Sequence, residues 1–401
     1  MGTLRRKVTA GMAVVLLWGG LAATAALAGP GVAGASSAPV KIGLLCACTG
    51  PISAGIEEVP PVAKAWVDSV NASGGINGHK IDLIVEDDTS SPSKSTSEAQ
   101  TLVGTDHVVA IIDATSEDFS WASYVQAQGV PVVGLNTSTE PFYTNSDFYP
   151  EGQTEDSLFF GITAAVHQAG GKDFALFYCA EAVQCQEGIA PLESQAKTAG
   201  EDVVAALEVS ASAPNYTAQC LAAKQAGATV AFVADVQTVD EKIIQDCYAQ
   251  GYKPKVVVDG ETIGPSMATS TGFNVATYFT VPNLPYFADS SAIKAMDSAV
   301  KKYSGASVLT NSNYNELAAE AWMSGKEIQA AVTAAKVSGA PTSAEIVKGL
   351  DSFHDQTLDG LAPNLTYTAG KPHPVDCWYY ALLKNGKYST PYGLKTFCAS
   401  S

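Results

Sequence analysis

Short apolar runs alternate along the chain with longer stretches in which apolar residues recur at helical spacing. The run over 40–45 is rich in strand formers and is followed by the turn residues Thr49-Gly50-Pro51, which favours a buried strand. From 63 to 70 the spacing predicts a helix, and Gly74-Gly75 favours its end. An Asn-Gly turn and an apolar run over 81–85 add a second strand, so this stretch predicts a βαβ unit.

The same order of strand and helix repeats along the rest of the chain. A helix is predicted from Glu117 with Ser116 as its N-cap, and an aromatic tail with an Asn385-Gly386 turn predicts a terminal β-hairpin. Further strands are predicted over 108–112, 131–133, 174–178, 203–209, 229–234, 255–258 and 276–281. This alternation predicts an α/β fold of two Rossmann-like lobes, with parallel sheets flanked by helices.

The first residues have the layout of a secretory signal peptide. Arg5, Arg6 and Lys7 precede an apolar stretch, and Ala26-Leu27-Ala28 forms a cleavage site. We predict a signal peptide over 1–28, with a cut after residue 35 or retention as an anchor as the alternatives. No cysteine lies near either cut, so a lipoprotein anchor is not predicted. The mature chain is therefore expected to be secreted or extracytoplasmic.

Charge and cysteine content narrow the function classes. The formal net charge is −17 and no basic run follows residue 7, so nucleic acid is not an expected partner. Eight cysteines in an exported chain indicate disulfides. Cys46 and Cys48 are left open between a bridge and free thiols. The disulfide candidates are Cys179 with Cys185 in a small loop, Cys377 with Cys398 around the hairpin, and Cys220 with Cys247, which bridge only if their helices share a face.

Polar residues at the ends of strands are the candidate chemistry. No nucleophile elbow, phosphate-binding loop or zinc-binding helix is present, so no catalytic residue, metal site or cofactor is predicted. Ligands of open α/β sheets bind beyond the carboxyl ends of the strands. Hydroxyls and helix N–H groups suit a carboxylate there, and Asp or Glu suits an ammonium. Helix capping and solvated loop charges are the alternatives for each residue taken alone.

Three motifs of the first lobe together resemble the branched-chain amino-acid-type substrate-binding proteins of ABC transporters. They are I-G-L-L-x-x-x-T-G-P over 42–51, N-A-S-G-G-I-N-G over 71–78 and I-V-E-D-D over 84–88. The resemblance implies the type I periplasmic-binding fold, with three crossover segments near residues 155, 281 and 361 and a ligand cleft between the lobes. The expected segments are 1–28 signal peptide, 29–39 flexible, 40–155 lobe 1, 156–281 lobe 2, 282–360 lobe 1 continued, and 361–401 lobe 2 continued.

The resemblance also implies a function and a ligand site. It implies a non-enzymatic protein that captures a small polar ligand, an amino acid or a related carboxylate or amide, by hinge closure and delivers it to a membrane ABC permease. Ser116 and residues 136–138 match the positions that hold the ligand carboxylate, and Glu261, or else Asp235, matches the position for the amino group. The expected ligand contacts are Thr49, Ser116, Glu117, Asn136, Thr137, Ser138, Val183, Gln184, Asp235, Gln237 and Glu261.

Two departures from the family pattern bear on specificity. Asp113-Ala114-Thr115 places an acid near the expected carboxylate site, and the Cys179–Cys185 loop replaces an aromatic-glycine pair. A small organic ligand other than an amino acid is therefore an open alternative. The rival functions are a ligand-sensing receptor domain of the same fold and a secreted hydrolase that uses acids such as Asp88 and Glu261.

Overall fold

A computed structural model describes residues 38–135 and 137–399 of the protein. The predicted signal peptide, most of the predicted flexible segment and Asn136 lie outside the described residues. The strands are β1 (Val40–Cys46), β2 (Ile81–Asp87), β3 (Ile111–Ala114), β4 (Val132–Gly134), β5 (Phe148–Pro150), β6 (Asp173–Cys179), β7 (Asp202–Val209), β8 (Val230–Ala234), β9 (Lys255–Asp259), β10 (Ala276–Val281), β11 (Cys377–Lys384), β12 (Lys387–Ser389) and β13 (Phe397–Cys398).

Twelve α-helices lie between these strands in the described part of the chain. They are α1 (Val59–Ala72), α2 (Pro92–Gln100), α3 (Ala122–Gln128), α4 (Pro141–Thr144), α5 (Glu155–Gln168), α6 (Val183–Glu187), α7 (Ile189–Ala199), α8 (Thr217–Gln225), α9 (Gln237–Ala249), α10 (Ser291–Tyr303), α11 (Glu316–Ala334) and α12 (Ser343–Leu350).

The strands form two sheets, each the centre of one lobe. The lobe 1 sheet has the order β2-β1-β3-β4-β5, and all its pairs are parallel. The lobe 2 sheet has the order β12-β11-β10-β9-β8-β6-β7, parallel from β10 to β7, with β11 antiparallel to β10. Because most strands are covered by helices on both faces, they are apolar along nearly their whole length. The predicted α/β class is confirmed.

The chain passes between the lobes three times. It leaves lobe 1 after β5, builds β6 to β10 in lobe 2, and returns to pack α10 and α11 against α1. It then re-enters lobe 2 with β11. α11 packs closely against α1 in this returning segment. A Cβ atom at Gly325 of α11 would lie only 2.2 Å from the Trp66 ring of α1. The Trp66 ring N–H donates to Gln329 Oε1 at 2.9 Å.

Three local predictions for lobe 1 were wrong. β3 runs to Ala114, so Asp113 lies within a strand rather than in the loop after it. The helix expected from Glu117 begins at Ala122, after a 3₁₀ turn over Asp118–Ser120, and Ser116 does not cap it. Local side-chain bonds favour the turn, because the Thr115 hydroxyl accepts the Glu117 N–H at 3.1 Å. The short elements α4 and β5 were not predicted.

All eight cysteines are paired in disulfides. The three candidate pairs form, and the bridge between Cys220 and Cys247 shows that α8 and α9 lie on the same face of the sheet. Cys46 and Cys48, which the sequence left open, are also bridged. The terminal hairpin forms around Asn385-Gly386 as predicted, and both turn residues have positive φ. In the described part of the chain, no helix combines the length and apolar character that crossing a membrane requires.

Candidate ligand-binding cleft

A cavity of about 170 Å³ lies between the two lobes. Lobe 1 contributes a wall that includes Ile52, Gly55, Ala114, Ser116 and Ser138. Lobe 2 contributes residues from α5, α6 and α7 and from the carboxyl ends of β6, β8 and β9. Ligands of parallel sheets bind at this end of the strands, so the cavity lies where the fold favours a site.

The deeper part of the cavity is apolar and extends into lobe 2. Leu176 of β6 is the register neighbour of Phe232 of β8, and both line the cavity. Side chains alternate between the two faces of a strand, so the residues two positions further along face the cavity again. These residues are Tyr178 and Ala234, which are also register neighbours and also line the cavity. Opposite the sheet, α5 and α7 contribute Leu158, Phe159, Ile162 and Leu192. The Cys179–Cys185 disulfide also lines the cavity and ties the end of β6 to α6.

Asp235 is the best-defined polar group of the lobe 2 wall. It follows β8, lines the cavity and is 8% exposed. Its Oδ1 accepts the Val236 N–H at 2.7 Å, whereas Oδ2 has no hydrogen-bond partner within the described residues. Burial raises the pKa of Asp235 to about 7. The group therefore has one oxygen available to a ligand in the cavity.

Asp259 and Glu261 place two more carboxyl groups at the end of β9. Both line the cavity, and Asp259 Oδ1 accepts the Glu261 N–H at 3.1 Å. Burial raises the pKa of Asp259 to about 6. Burial, with the nearby charges of Asp259 and Glu155, raises the pKa of Glu261 well above its usual value. Glu155 of α5 also lines the cavity, so lobe 2 presents four carboxyl groups there.

The lobe 1 wall differs from the lobe 2 wall, because its carboxyl groups lie behind the residues that line the cavity. Asp113 Oδ1 accepts the Thr115 N–H at 3.1 Å, and Asp118 accepts the Thr139 hydroxyl. Burial raises the pKa of Asp118 to about 7 and, with the charge of Asp118, raises the pKa of Asp113 well above normal. The charges of the two acids interact, so protonation of one favours ionisation of the other. Ser116 and Ser138 present hydroxyl groups in front of this pair.

No Lys, Arg or His belongs to the described residues that line the cavity. Across 38–135 and 137–399, no three His, Cys, Asp or Glu residues are arranged to hold a metal ion. A ligand in this cavity would meet apolar walls, two serine hydroxyls, one glutamine amide and several carboxyl groups.

The structure brings five of the expected ligand contacts to the cavity, namely Ser116, Ser138, Gln184, Asp235 and Glu261. Glu117 and Thr137 lie close by without lining it, and the Thr137 hydroxyl donates to the Gln153 carbonyl at 2.6 Å. Asn136 lies outside the described residues.

Three other expected contacts lie away from the cavity. The Thr49 hydroxyl donates to Asp87 Oδ2 at 2.6 Å in an exposed loop. Val183 is 51% exposed. The Gln237 amide donates to the Ser312 carbonyl at 3.1 Å and to the Ser266 hydroxyl, at the edge of the cleft.

Sequence reasoning missed the acids Glu155 and Asp259 and nearly all of the apolar wall. Leu158, Phe159 and Ile162 follow the helical spacing of an ordinary buried face, so nothing in their pattern separates a cavity wall from a filled core. Asp259 stood in a strand-end group that sequence analysis singled out only for Glu261.

Comparison with known proteins identifies the family. A family model described as a periplasmic binding protein matches residues 39–387. The chain belongs to the periplasmic binding protein family. The resemblance to branched-chain amino-acid-type binding proteins is thereby confirmed in family and fold, while the expected segment boundaries stay a prediction.

Individual relatives agree with this assignment. Over 74 residues the chain is 36% identical to Leu/Ile/Val-binding protein homolog 3 of Brucella melitensis, a match that covers 18% of this chain and 20% of that relative. A branched-chain amino acid ABC transporter protein from Thermus thermophilus, solved with bound valine, is 17% identical with a TM-score of 0.75 over 91% of this chain and 98% of that one. A solute-binding protein from R. palustris, solved with benzoate, is 15% identical with a TM-score of 0.73 over 88% and 95%.

Proposed function

We propose that this periplasmic binding protein captures a small ligand with an apolar body and a polar head, an amino acid or a related molecule, and delivers it to an ABC permease. The observation that carries the proposal is the cavity between the lobes, apolar inside lobe 2 and polar where the lobes meet. The relatives named above bind leucine, isoleucine, valine or benzoate according to their descriptions. All of these ligands combine an apolar body with a charged head.

The apolar part of the cavity supplies the affinity in this proposal. Side chains such as Leu158, Leu176 and Phe232 surround it, and burial of apolar ligand surface contributes roughly 25 cal/mol per Å². A branched or aromatic group placed there would lose about 100 Å² of apolar surface to the protein, which corresponds to about 2.5 kcal/mol. The polar head then fixes the orientation through Ser116, Ser138 and the lobe 2 acids.

Contacts across the mouth support capture by hinge closure. Gly55 of lobe 1 packs against Val236 of lobe 2, where a Cβ on Gly55 would lie 3.2 Å from Val236 Cγ1. The Glu316 N–H at the start of α11 donates to the Ile263 carbonyl of lobe 2 at 3.1 Å, and within lobe 1 the Asn315 side chain donates to the Gly55 carbonyl at 2.8 Å. A ligand that contacts both lobes would favour the state in which these contacts form.

An extracytoplasmic location follows from the family and from the predicted signal peptide, and we assign the protein no catalytic step. The test is a thermal-shift titration with leucine, phenylalanine, benzoate and isobutyramide, each up to 10 mM, with glucose as the negative control. A ligand that binds the native state raises Tm in proportion to the logarithm of its concentration above Kd. If none of the four, and no apolar amine of similar size, shifts Tm while the protein unfolds cooperatively, the proposed solute-binding role is wrong.

A further inference from the structure

The groups around the cavity are unbalanced in charge. Glu155, Asp235, Asp259 and Glu261 line it, and no basic side chain belongs to its described lining. On the lobe 1 side, the buried Asp113 and Asp118 lie directly behind the residues that present the serine hydroxyls. Acids therefore approach the cavity from both lobes, and no protein cation faces them there.

Asp235 is the residue that distinguishes this cavity from a cluster of buried acids that binds no ligand. Asp113, Asp118 and Asp259 each use an oxygen to hold their own loop, by accepting a backbone N–H or a hydroxyl. Asp235 likewise accepts the Val236 N–H with Oδ1. Its Oδ2 has no hydrogen-bond partner within the described residues, as is also true of Asp113 Oδ2 and Asp118 Oδ1, but of these three acids Asp235 is the one that lines the cavity. A side chain that is 92% buried and borders a cavity with an unpaired oxygen is poised for a donor that the protein does not supply.

We propose that the cleft selects an apolar amine in its cationic form, and that the ammonium group pairs with Asp235. The inference rests on the proposed solute-binding function and narrows its ligand class from amino acids to amines without a carboxylate. An ammonium group has three N–H donors, which Asp235 and the hydroxyls of Ser116 and Ser138 can accept. The apolar body then occupies the lobe 2 part of the cavity, between Leu176, Phe232 and α5.

The lobe 1 wall argues against a ligand carboxylate. The side-chain donors that face the cavity from lobe 1 are the hydroxyls of Ser116 and Ser138. Asp113 and Asp118 are fully buried behind these hydroxyls, and no basic side chain belongs to the described cavity lining. Like charges repel strongly in an enclosed site, so a carboxylate is disfavoured in a cavity whose described lining holds four carboxyl groups and no basic side chain.

The direction in which ligand affinity changes with pH distinguishes a cationic ligand from an anionic one. Asp235 titrates near pH 7 in the free protein because burial raises its pKa. A bound ammonium favours ionised Asp235, so below pH 7 amine binding must release a proton and affinity must rise between pH 5.5 and pH 8. Glu155, Asp259 and Glu261 also face the cavity, and their ionisation shifts affinity for a cation in the same direction. A carboxylate ligand would instead bind more tightly as the pH falls.

The test is calorimetric titration of the whole protein with ligands that share one body and differ in charge. The isobutyl set is 3-methylbutylamine, leucine and 4-methylpentanoate, and the phenyl set is 2-phenylethylamine, phenylalanine and 3-phenylpropanoate. We expect the amine of at least one set to bind about tenfold or more tightly than its amino acid, and the carboxylate to bind weakest. If the amino acid or the carboxylate binds more tightly, this inference is wrong and the solute-binding function stands. If no member binds, both are wrong.

A pair of variants tests whether Asp235 is the partner of the ammonium group. Asp235→Asn removes the charge and keeps the shape, and we expect it to weaken amine binding about tenfold or more and to flatten its pH dependence. Asp202→Asn makes the same change at an exposed position on β7, away from the cavity, and should leave affinity within about twofold. Retention of wild-type affinity and pH dependence by Asp235→Asn would remove Asp235 from the site. If that variant does not fold, the ligand series and pH profile of the wild type still decide the ligand charge.

Discussion

The two walls of the cleft use the same residue types in opposite ways. In lobe 1 the acids Asp113 and Asp118 are fully buried behind the cavity and hold the loops that carry Ser116 and Ser138. In lobe 2 the acids line the cavity itself, and Asp235 keeps an unpaired oxygen there. The apolar volume also lies in lobe 2. Under the proposed function, lobe 1 supplies a polar wall, and the lining of lobe 2 sets the shape and charge that a ligand must match.

The lobes also differ in how they are cross-linked. Lobe 1 has one disulfide, between Cys46 and Cys48, with a sequence separation of 2. Lobe 2 has three, and the longest loop is closed by Cys220 and Cys247 with a separation of 27. Long loops lose more chain entropy on cross-linking than short ones. Lobe 2, which supplies most of the cavity lining, is therefore the lobe whose unfolded state is most restricted.

The largest expected effect comes from the long disulfide of lobe 2. Cys220→Ala with Cys247→Ala should lower the free energy of unfolding by about 3 kcal/mol, because the unfolded chain regains its freedom. The measurement is urea unfolding under non-reducing conditions. The matched control is Cys46→Ala with Cys48→Ala, where the short loop should cost about half as much. An equal loss in both pairs would contradict the loop-length explanation.

Filling the apolar cavity should abolish most binding. Ala234→Leu places three more carbons into the lobe 2 part of the cavity, and we expect affinity for the best ligand of the isobutyl or phenyl set to fall about 100-fold. Calorimetry measures the affinity, and Tm should change little because the side chain enters existing space. Undiminished affinity would show that the ligand binds elsewhere.

Wedging the lobes apart should have a smaller effect. Gly55→Leu would place a side chain against Val236, and we expect it to weaken ligand binding about tenfold by opposing closure, with little change in Tm. The control is Gly339→Leu, because a Cβ at Gly339 meets no atom within 4 Å. Equal ligand affinity in Gly55→Leu and Gly339→Leu would contradict the requirement for closure at Val236.

Neutralising an acid behind the lobe 1 wall should change stability rather than binding. The folded-state pKa of Asp118 is near 7, above its unfolded value, so this acid's contribution to stability is lost as the pH rises from about 4 through 7. Asp118→Asn should therefore recover about 1 kcal/mol at pH 8 and nothing at pH 4. Ligand affinity should stay within about threefold.

Unfolding curves at the two pH values measure this effect of Asp118→Asn. The control is Asp82→Asn at an exposed position of β2, which should leave the free energy of unfolding within about 0.5 kcal/mol. A large loss of ligand affinity in Asp118→Asn would place that acid in the binding site and break the distinction between the walls.

The smallest expected effect is at the lobe 1 hydroxyl. Ser116→Ala should weaken binding about threefold, because one hydrogen bond of a ligand head contributes roughly 0.6 kcal/mol at the lower end of the usual range. The fold should remain intact by circular dichroism. Unchanged affinity would remove Ser116 from the ligand contacts.

The sequence predicted the fold well because its signals are local. The strand at β1, the Asn385-Gly386 turn and the strand-helix order all depend on neighbouring residues. Predictions failed where side chains satisfied each other instead, as in the 3₁₀ turn that replaces a helix cap at Ser116. Within the site, strand-end position identified Asp235 and Glu261. Thr49 and Gln237 stood at equivalent positions, but Asp87 and Ser312 engage them, and only tertiary structure reveals those partners.

The path of the chain between the lobes also sets the order in which the protein can fold. Trp66 of α1 packs on α11 and bonds Gln329, which follows 263 residues later. The lobe 2 sheet likewise joins β10 to β11, which follows along the chain only after α10, α11 and α12. Neither core can close until most of the chain has left the ribosome, and contacts so distant in sequence form slowly. The apolar faces of α1 and β10 therefore lack their final partners for a long interval of synthesis.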